Sequence, residues 1–181
     1  MSERFKKELI EWIKAFVIGI ILFVIIRNFL FTSYLVAGGS MEPTLHDGDR
    51  VIVNRIGYIV GDIDRQDVIV FHFSEQEDYV KRVIGLPGDE IEYINDVLYV
   101  NGEQVEEDYL EIDNPNILQT GTFTLEGLTG KQTVPEGHLF VLGDNRDGST
   151  DSREFGFIPM ENVVGEVVLR FLPFDSFKYG F

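Results

Sequence analysis

Two short segments hold a serine and a lysine whose company sets them apart, and a third could support them. In VAGGSMEPTLHDGDRV, residues 36–51, Ser40 follows Gly38 and Gly39 and precedes a Met-x-Pro. Glycines let a backbone approach a ligand closely and Pro43 restricts the chain just beyond, so Ser40 is expected in a stiff turn with exposed N–H groups. Such a turn offers a hydroxyl nucleophile and, from its own amides, a site for an oxyanion. The same residue types also build ordinary loops, so this segment alone leaves both readings open.

A serine nucleophile needs a base. His46 is near in sequence, but nothing around it indicates a Ser-His-Asp geometry. Beyond residue 32 the only lysines are Lys81, Lys131 and Lys178. Lys81 lies in YVKRVIGLPGDE, where strand alternation puts Tyr79, Lys81 and Val83 on one face and Val80, Arg82 and Ile84 on the other. On an apolar face an ammonium is desolvated, which favours the neutral amine. Bringing it from ~10.4 to ~7 takes roughly 4.6 kcal/mol of environment. The competing reading is a lysine at a strand end with its head in water. The third segment, GDNRDGSTDSREFGFIP at 143–159, is dense in turn formers, hydroxyls and paired charges. It is either a polar loop held by local Asp–backbone and Asp–Arg bonds, or a support in which Ser149 orients the Lys81 amine while Asp151 and Arg153 stiffen the loop.

The elements that must hold these residues read as strands. RVIVN (50–54), DVIVFHF (67–73), YVKRVIG (79–85), EIEYI (90–94), VLYV (97–100), HLFVLG (138–143) and VVGEVVLRFL (163–172) are short and β-branched or aromatic. Asn101-Gly102 suits a type I′ hairpin turn. No helical periodicity of comparable length follows residue 32, so a mainly β fold is expected, an all-β domain over 32–181 with a less regular insertion at 106–134.

The N-terminal part differs. AFVIGIILFVII at 15–26 is only twelve residues, ~18 Å as a helix, but 10–31 reaches ~33 Å with Lys14 and Arg27 snorkelling near its ends. Residues 10–31 are therefore expected to be a transmembrane anchor in the lipid bilayer. Arg4, Lys6, Lys7 and Lys14 keep residues 1–9 in the cytoplasm, which makes the chain a single-pass protein of the cytoplasmic membrane with the β domain on the outer side. A cleaved signal peptide ending at Ala37 is the alternative, but Arg27 and Asn28 open a ten-residue stretch between the apolar run and that alanine.

The formal charge of −16 is uneven: residues 1–32 carry +2, leaving −18 on the rest, the wrong sign for tracking phosphates, so no nucleic-acid partner is expected. The chain has no cysteine, and His46, His72 and His138 lack close ligand spacing, so neither a metal nor a cofactor is expected.

In this order behind an apolar N-terminus, GGSMEPTLHDGDRV, YVKRVIGLPGDEI and GDNRDGSTDSREFGFIP resemble bacterial type I signal peptidases, membrane-bound serine proteases of the Ser/Lys class. The resemblance covers about residues 10–172. It implies a serine endopeptidase that removes signal peptides from exported precursor proteins after Ala-x-Ala sites, with Ser40 as nucleophile and Lys81 as general base. It further implies that Ser149 positions the lysine and that Asp151 and Arg153 form a supporting ion pair. Met41, Leu45, Tyr79 and Val80 fall where the family builds small apolar subsites. Tyr34, Leu35 and Val36, with Asp78, Tyr79 and Val80, correspond to the two strands that hold an extended substrate. Gly38 stands where some members have a serine that helps bind the oxyanion, leaving backbone N–H groups, that of Ser40 first. Gly148 replaces a more usual asparagine, and the short 106–134 stretch matches the compact Gram-positive type. Two other classes stay open: a tethered β domain that binds peptides without cutting them, and a secreted β protein whose first 37 residues are removed. A penicillin-binding enzyme is excluded, since no serine has a lysine three residues on.

Overall fold

The structure, a computed structural model, describes the backbone of residues 3–55, 63–110 and 119–181 and, among these, the side chains of all but 3–7 and 25–30. Helix α1 (Glu3–Leu30) runs directly into strand β1 (Phe31–Leu35). The expected span of 10–31 overshoots the helix by one residue because Phe31 already pairs with Asn54 of β2 (Arg50–Asn54). Among the described residues no helix is long and apolar enough to cross a membrane. Part of the expected anchor, the side chains of 25–30, lies outside the described residues.

The rest of the chain is built mainly from antiparallel strands. β1, β2, β11 (Val163–Leu172), β3 (Val68–His72), β4 (Asp78–Gly85), β9 (His138–Leu142) and β10 (Ile158–Pro159) follow one another in that order, and β12 (Lys178–Tyr179) adds to β11. A smaller sheet has the order β7 (Glu103–Val105), β6 (Val97–Val100), β5 (Ile91–Ile94), β8 (Phe123–Thr124). Every segment read as a strand from its β-branched pattern is one, to within a residue at either end. Of the strands not read from the β-branched pattern, β8, β10 and β12 have two residues each, too few to show alternation, and β1 overlaps the strand at 34–36 that the resemblance implies.

In the small sheet two-residue hairpins join β5 to β6 and β6 to β7, and β8 pairs with the other edge of β5. Asn101 and Gly102 both have positive φ, 54° and 80°, as a type I′ turn demands. Asn95 and Asp96 do the same between β5 and β6, with φ of 49° and 68°. The Asp96 carboxylate accepts from the N–H groups of Gln119, Thr120 and Gly121 at 2.6–2.9 Å, tying that turn to the middle of the 106–134 stretch. Residues 111–118 of that stretch lie outside the described residues, and its remainder holds β8 and a helical turn, α2 (Leu125–Thr129).

The core holds three buried clusters, of which the first joins the two sheets. Ile84, Phe140 and Leu142 of the large sheet pack on Ile91, Tyr93 and Leu98 of the small one. Ile69, Phe71, Val83 and Val141 fill the second. Met41 and Leu45, both fully buried, pack with Val36, Val51, Val53 and Val70 in the third, so the turn that carries Ser40 is pinned from beneath by its own neighbours.

Candidate active site

Strand β4 changes partners halfway along. Residues 78–82 pair with β3, while pairing with β9 begins only at Arg82 opposite Leu142. Lys81 therefore sits where β9 leaves the sheet, and the loop starting at Gly143 turns off beside it. Residues 78–81 keep one edge unpaired on that side, and β1, bonded only to β2, is the sheet's edge strand.

A cleft of about 590 Å³ lies between these two edges. Tyr34, Leu35 and Val36 line it from β1 and the residue beyond, and Asp78, Tyr79 and Val80 line it from β4, with Ser40 and Lys81 at the same cleft. Six of the residues expected to hold substrate are thus brought together. Met41 and Leu45 are not among the lining residues; they are fully buried behind the cleft. Burial, and then the Asp78 carboxylate, push the Tyr34 hydroxyl up, so that it stays protonated.

Lys81 is 3% exposed, and its Nζ donates to Ser40 Oγ at 2.7 Å and to the Val80 carbonyl at 3.0 Å. Burial lowers its pKa to about 8, outweighing the Asp151 and Asp144 carboxylates, which raise it. Gly38 has φ +82° and its N–H donates to Asp47 Oδ1 at 2.8 Å, so that amide is committed. The Ser40 N–H has no acceptor among the described residues.

The loop from 143 to 153 is a support for both groups. Asp151, fully buried, accepts from Arg153 Nε and Nη2 at 2.9 and 2.8 Å, from the Gly143 N–H at 3.0 Å, and caps helix α3 (Ser152–Phe155). The expected Asp151–Arg153 pair is therefore present. Ser149 is buried in the same loop, but its Oγ makes no hydrogen bond among the described residues, so the expected bond to the lysine is not formed. Gly148 lies at the cleft, with its N–H on Asn145 Oδ1 at 3.1 Å.

Several residues of the site are absent from the sequence reading. Arg82, the neighbour of Lys81, makes a fully buried two-point pair with Asp144, at 2.9 and 2.6 Å. Its guanidinium also stacks 3.8 Å from the Tyr109 ring. Arg146 is held by Glu107 at 2.6 Å, Tyr93 at 3.1 Å and Thr120 at 2.9 Å, which joins the loop to the small sheet. Asn145 bonds the Ser40 turn through both its main chain and its side chain. The signal for these was the charge density of GDNRD; what it lacked was the partner of each charge, up to 62 residues away.

Residues 9–172 match the family model described as signal peptidase, peptidase S26. Signal peptidase I of Bacillus caldolyticus is 54% identical over 159 residues, covering 86% of this chain and 87% of that protein. Signal peptidase IB of Staphylococcus aureus is 47% identical over 186 aligned positions, covering 97% of this chain and 96% of the relative. The crystal structure of a signal peptidase I from Enterococcus faecalis superposes with a TM-score of 0.56 at 44% identity, covering 60% of this chain and 99% of that one. The chain belongs to the signal peptidase family, peptidase S26.

Proposed function

We propose that this protein is a membrane-anchored serine endopeptidase that removes signal peptides from exported precursors, cutting after small residues with Ser40 as nucleophile and Lys81 as base. The observation that carries the reading is the 2.7 Å contact between a buried lysine amine and a serine hydroxyl at the cleft. With Lys81 neutral, its lone pair takes the Ser40 proton as Oγ attacks the scissile carbonyl. The oxyanion rests on the Ser40 N–H. The resulting ammonium gives its proton to the leaving amine, and a water deprotonated by the same lysine then attacks the acyl-serine and releases the signal peptide.

The two free strand edges suit an extended substrate added between them as a further strand. Backbone bonds then supply affinity, while valines 36, 70 and 80, which line the cleft, suit small apolar hollows that would reject large side chains by clash. Ala-x-Ala fits such hollows.

Anchoring is supported by α1, whose described apolar side chains are exposed all round: Phe16, Val17 and Ile18, which point about 100° apart, are 71, 47 and 57% exposed. A helix apolar on every side suits lipid, and its 28 residues extend ~42 Å. In this reading residues 1–9 are cytoplasmic, 10–31 cross the bilayer and 32–181 form the outer catalytic domain with its 106–134 insertion. Exposed Phe174, Phe177 and Tyr179 near the C-terminus suit the lipid interface.

The test is cleavage of a precursor bearing an Ala-x-Ala site by the full-length protein in detergent, beside Ser40→Ala and Lys81→Ala. Cutting that is lost in both variants supports the reading. A folded wild type that binds the precursor without cutting it favours the binding-only alternative, and cutting that survives Lys81→Ala means another base.

A further inference from the structure

We infer that Asn145 is a positioning residue that aims the Ser40 N–H at the oxyanion, an inference that rests on the peptidase reading above. One trans peptide unit carries both the Gly39 carbonyl and the Ser40 N–H, and the two point in opposite directions. Whatever holds the carbonyl therefore sets the direction of the N–H. Asn145 Nδ2 donates to Gly39 O at 3.0 Å, and the Glu42 N–H donates to the same oxygen at 3.2 Å. On the other side of the residue, the Asn145 N–H donates to Ser40 O at 3.1 Å. Asn145 thus grips both carbonyls that flank the Ser40 Cα, while bonding to neither the hydroxyl nor the amine of the dyad. Two donors on one carbonyl also polarise that amide, which strengthens its N–H as a donor.

The asparagine is itself held. Its Oδ1 accepts from the Gly148 N–H at 3.1 Å, and a Cβ at position 148 would stand 2.8 Å from Nδ2, so glycine leaves the amide its room. Exchanging the amide oxygen and nitrogen would set oxygen against oxygen at Gly39 and donor against donor at Gly148. The network therefore fixes the orientation. Only a side chain that donates and accepts at once satisfies both neighbours.

The test compares Asn145→Asp with Asn145→Ala in the full-length protein. Aspartate keeps the size and the acceptor for Gly148 but turns an oxygen toward Gly39 O; alanine removes both bonds. Losing an oxyanion donor outright lowers kcat about 10²–10³-fold, so misaiming it is expected to lower kcat about 10–100-fold, with aspartate at least as impaired as alanine. In both variants KM should stay within about twofold; the pH limb set by Lys81 should not move in Asn145→Ala, whereas the carboxylate of Asn145→Asp, like those of Asp151 and Asp144, raises it. Affinity for a peptide aldehyde ending in Ala-x-Ala, whose adduct places an oxygen in the oxyanion site, should fall with kcat. A merely structural role would instead leave aspartate the better variant, or shift KM and the pH limb together; either result overturns the inference, as does kcat within about threefold of wild type in both variants. If the wild type cuts no precursor, the peptidase reading falls separately, and the Ser40 amide proton resonance then decides: an upfield move in the variants supports the aiming and an unmoved one refutes it. Should the aspartate variant not fold, the alanine variant carries each comparison through KM, the pH limb and the aldehyde.

Discussion

The Lys81 amine lies 2.7 Å from the Ser40 hydroxyl while its side chain is almost wholly buried. A base in that position works only when neutral, and burial sets its pKa at about 8 against the pull of Asp151 and Asp144. Measured kcat/KM is expected to rise with pH through about 8 and level off above it. A limb near 10 would show that the amine is not desolvated, and one near 6.5 would point to a histidine.

The same lowered pKa acts on folding with a definite sign. In the unfolded chain the lysine titrates near ~10.4, so between pH 8 and that value the unfolded state holds a proton that the folded state has lost. Stability rises with pH across that window. Below it the folded chain carries the full cost of a buried ammonium, on the order of 3 kcal/mol. Lys81→Met is expected to be inactive yet more stable than wild type at pH 7 by roughly 2 kcal/mol, the gain vanishing above pH ~10. Urea unfolding at pH 7 and at pH 10 checks this; a variant less stable at both values would contradict it.

The Arg82–Asp144 pair, 1% and 0% exposed, adjoins Lys81 in sequence and the Ser40 turn through Asn145. Removing one partner leaves a buried charge alone. Asp144→Asn and Arg82→Met are each expected to lower stability by about 3–5 kcal/mol, and the double replacement Arg82→Met with Asp144→Leu by less than either. Chemical denaturation of the three variants measures the coupling, and additive losses would show that the two charges are not paired.

Gly143 has no room for a side chain. A Cβ there would run into Ser149 Oγ and the Ser40 carbonyl oxygen, so the loop and the Ser40 turn meet at this glycine. Gly143→Ala is expected to lose more than about tenfold in kcat and about 1–3 kcal/mol in stability. Near-normal cleavage would mean that the Ser40 turn can move away from the loop without harm.

The β character of the domain was legible because each main strand carries its own signal: RVIVN, VLYV and VVGEVVLRFL are β-branched runs bounded by turn residues, and Asn101-Gly102 names its hairpin. Asn95-Asp96 makes a second such hairpin, but aspartate in place of glycine weakens its signal in the sequence. Ser40 and Lys81 were legible as types, a hydroxyl among glycines and a lone lysine on an apolar strand, and the paired Asp151 and Arg153 were legible because they are two residues apart.

What the sequence by itself determined is local: which residues alternate, which dipeptides turn, and which few side chains have the chemistry of a nucleophile and a base. Only the tertiary structure decided that Met41 and Leu45 lie under the cleft and not in it, that the Ser149 hydroxyl has no hydrogen-bond partner among the described residues, that Arg82 has Asp144, and that Asn145 holds the serine's turn. The physical reason is distance along the chain. Backbone periodicity acts over a few residues, whereas a buried charge or a buried carbonyl needs a partner from wherever folding brings one, and among the described residues those partners come from up to 126 residues away, as Arg170 does for the Thr44 carbonyl.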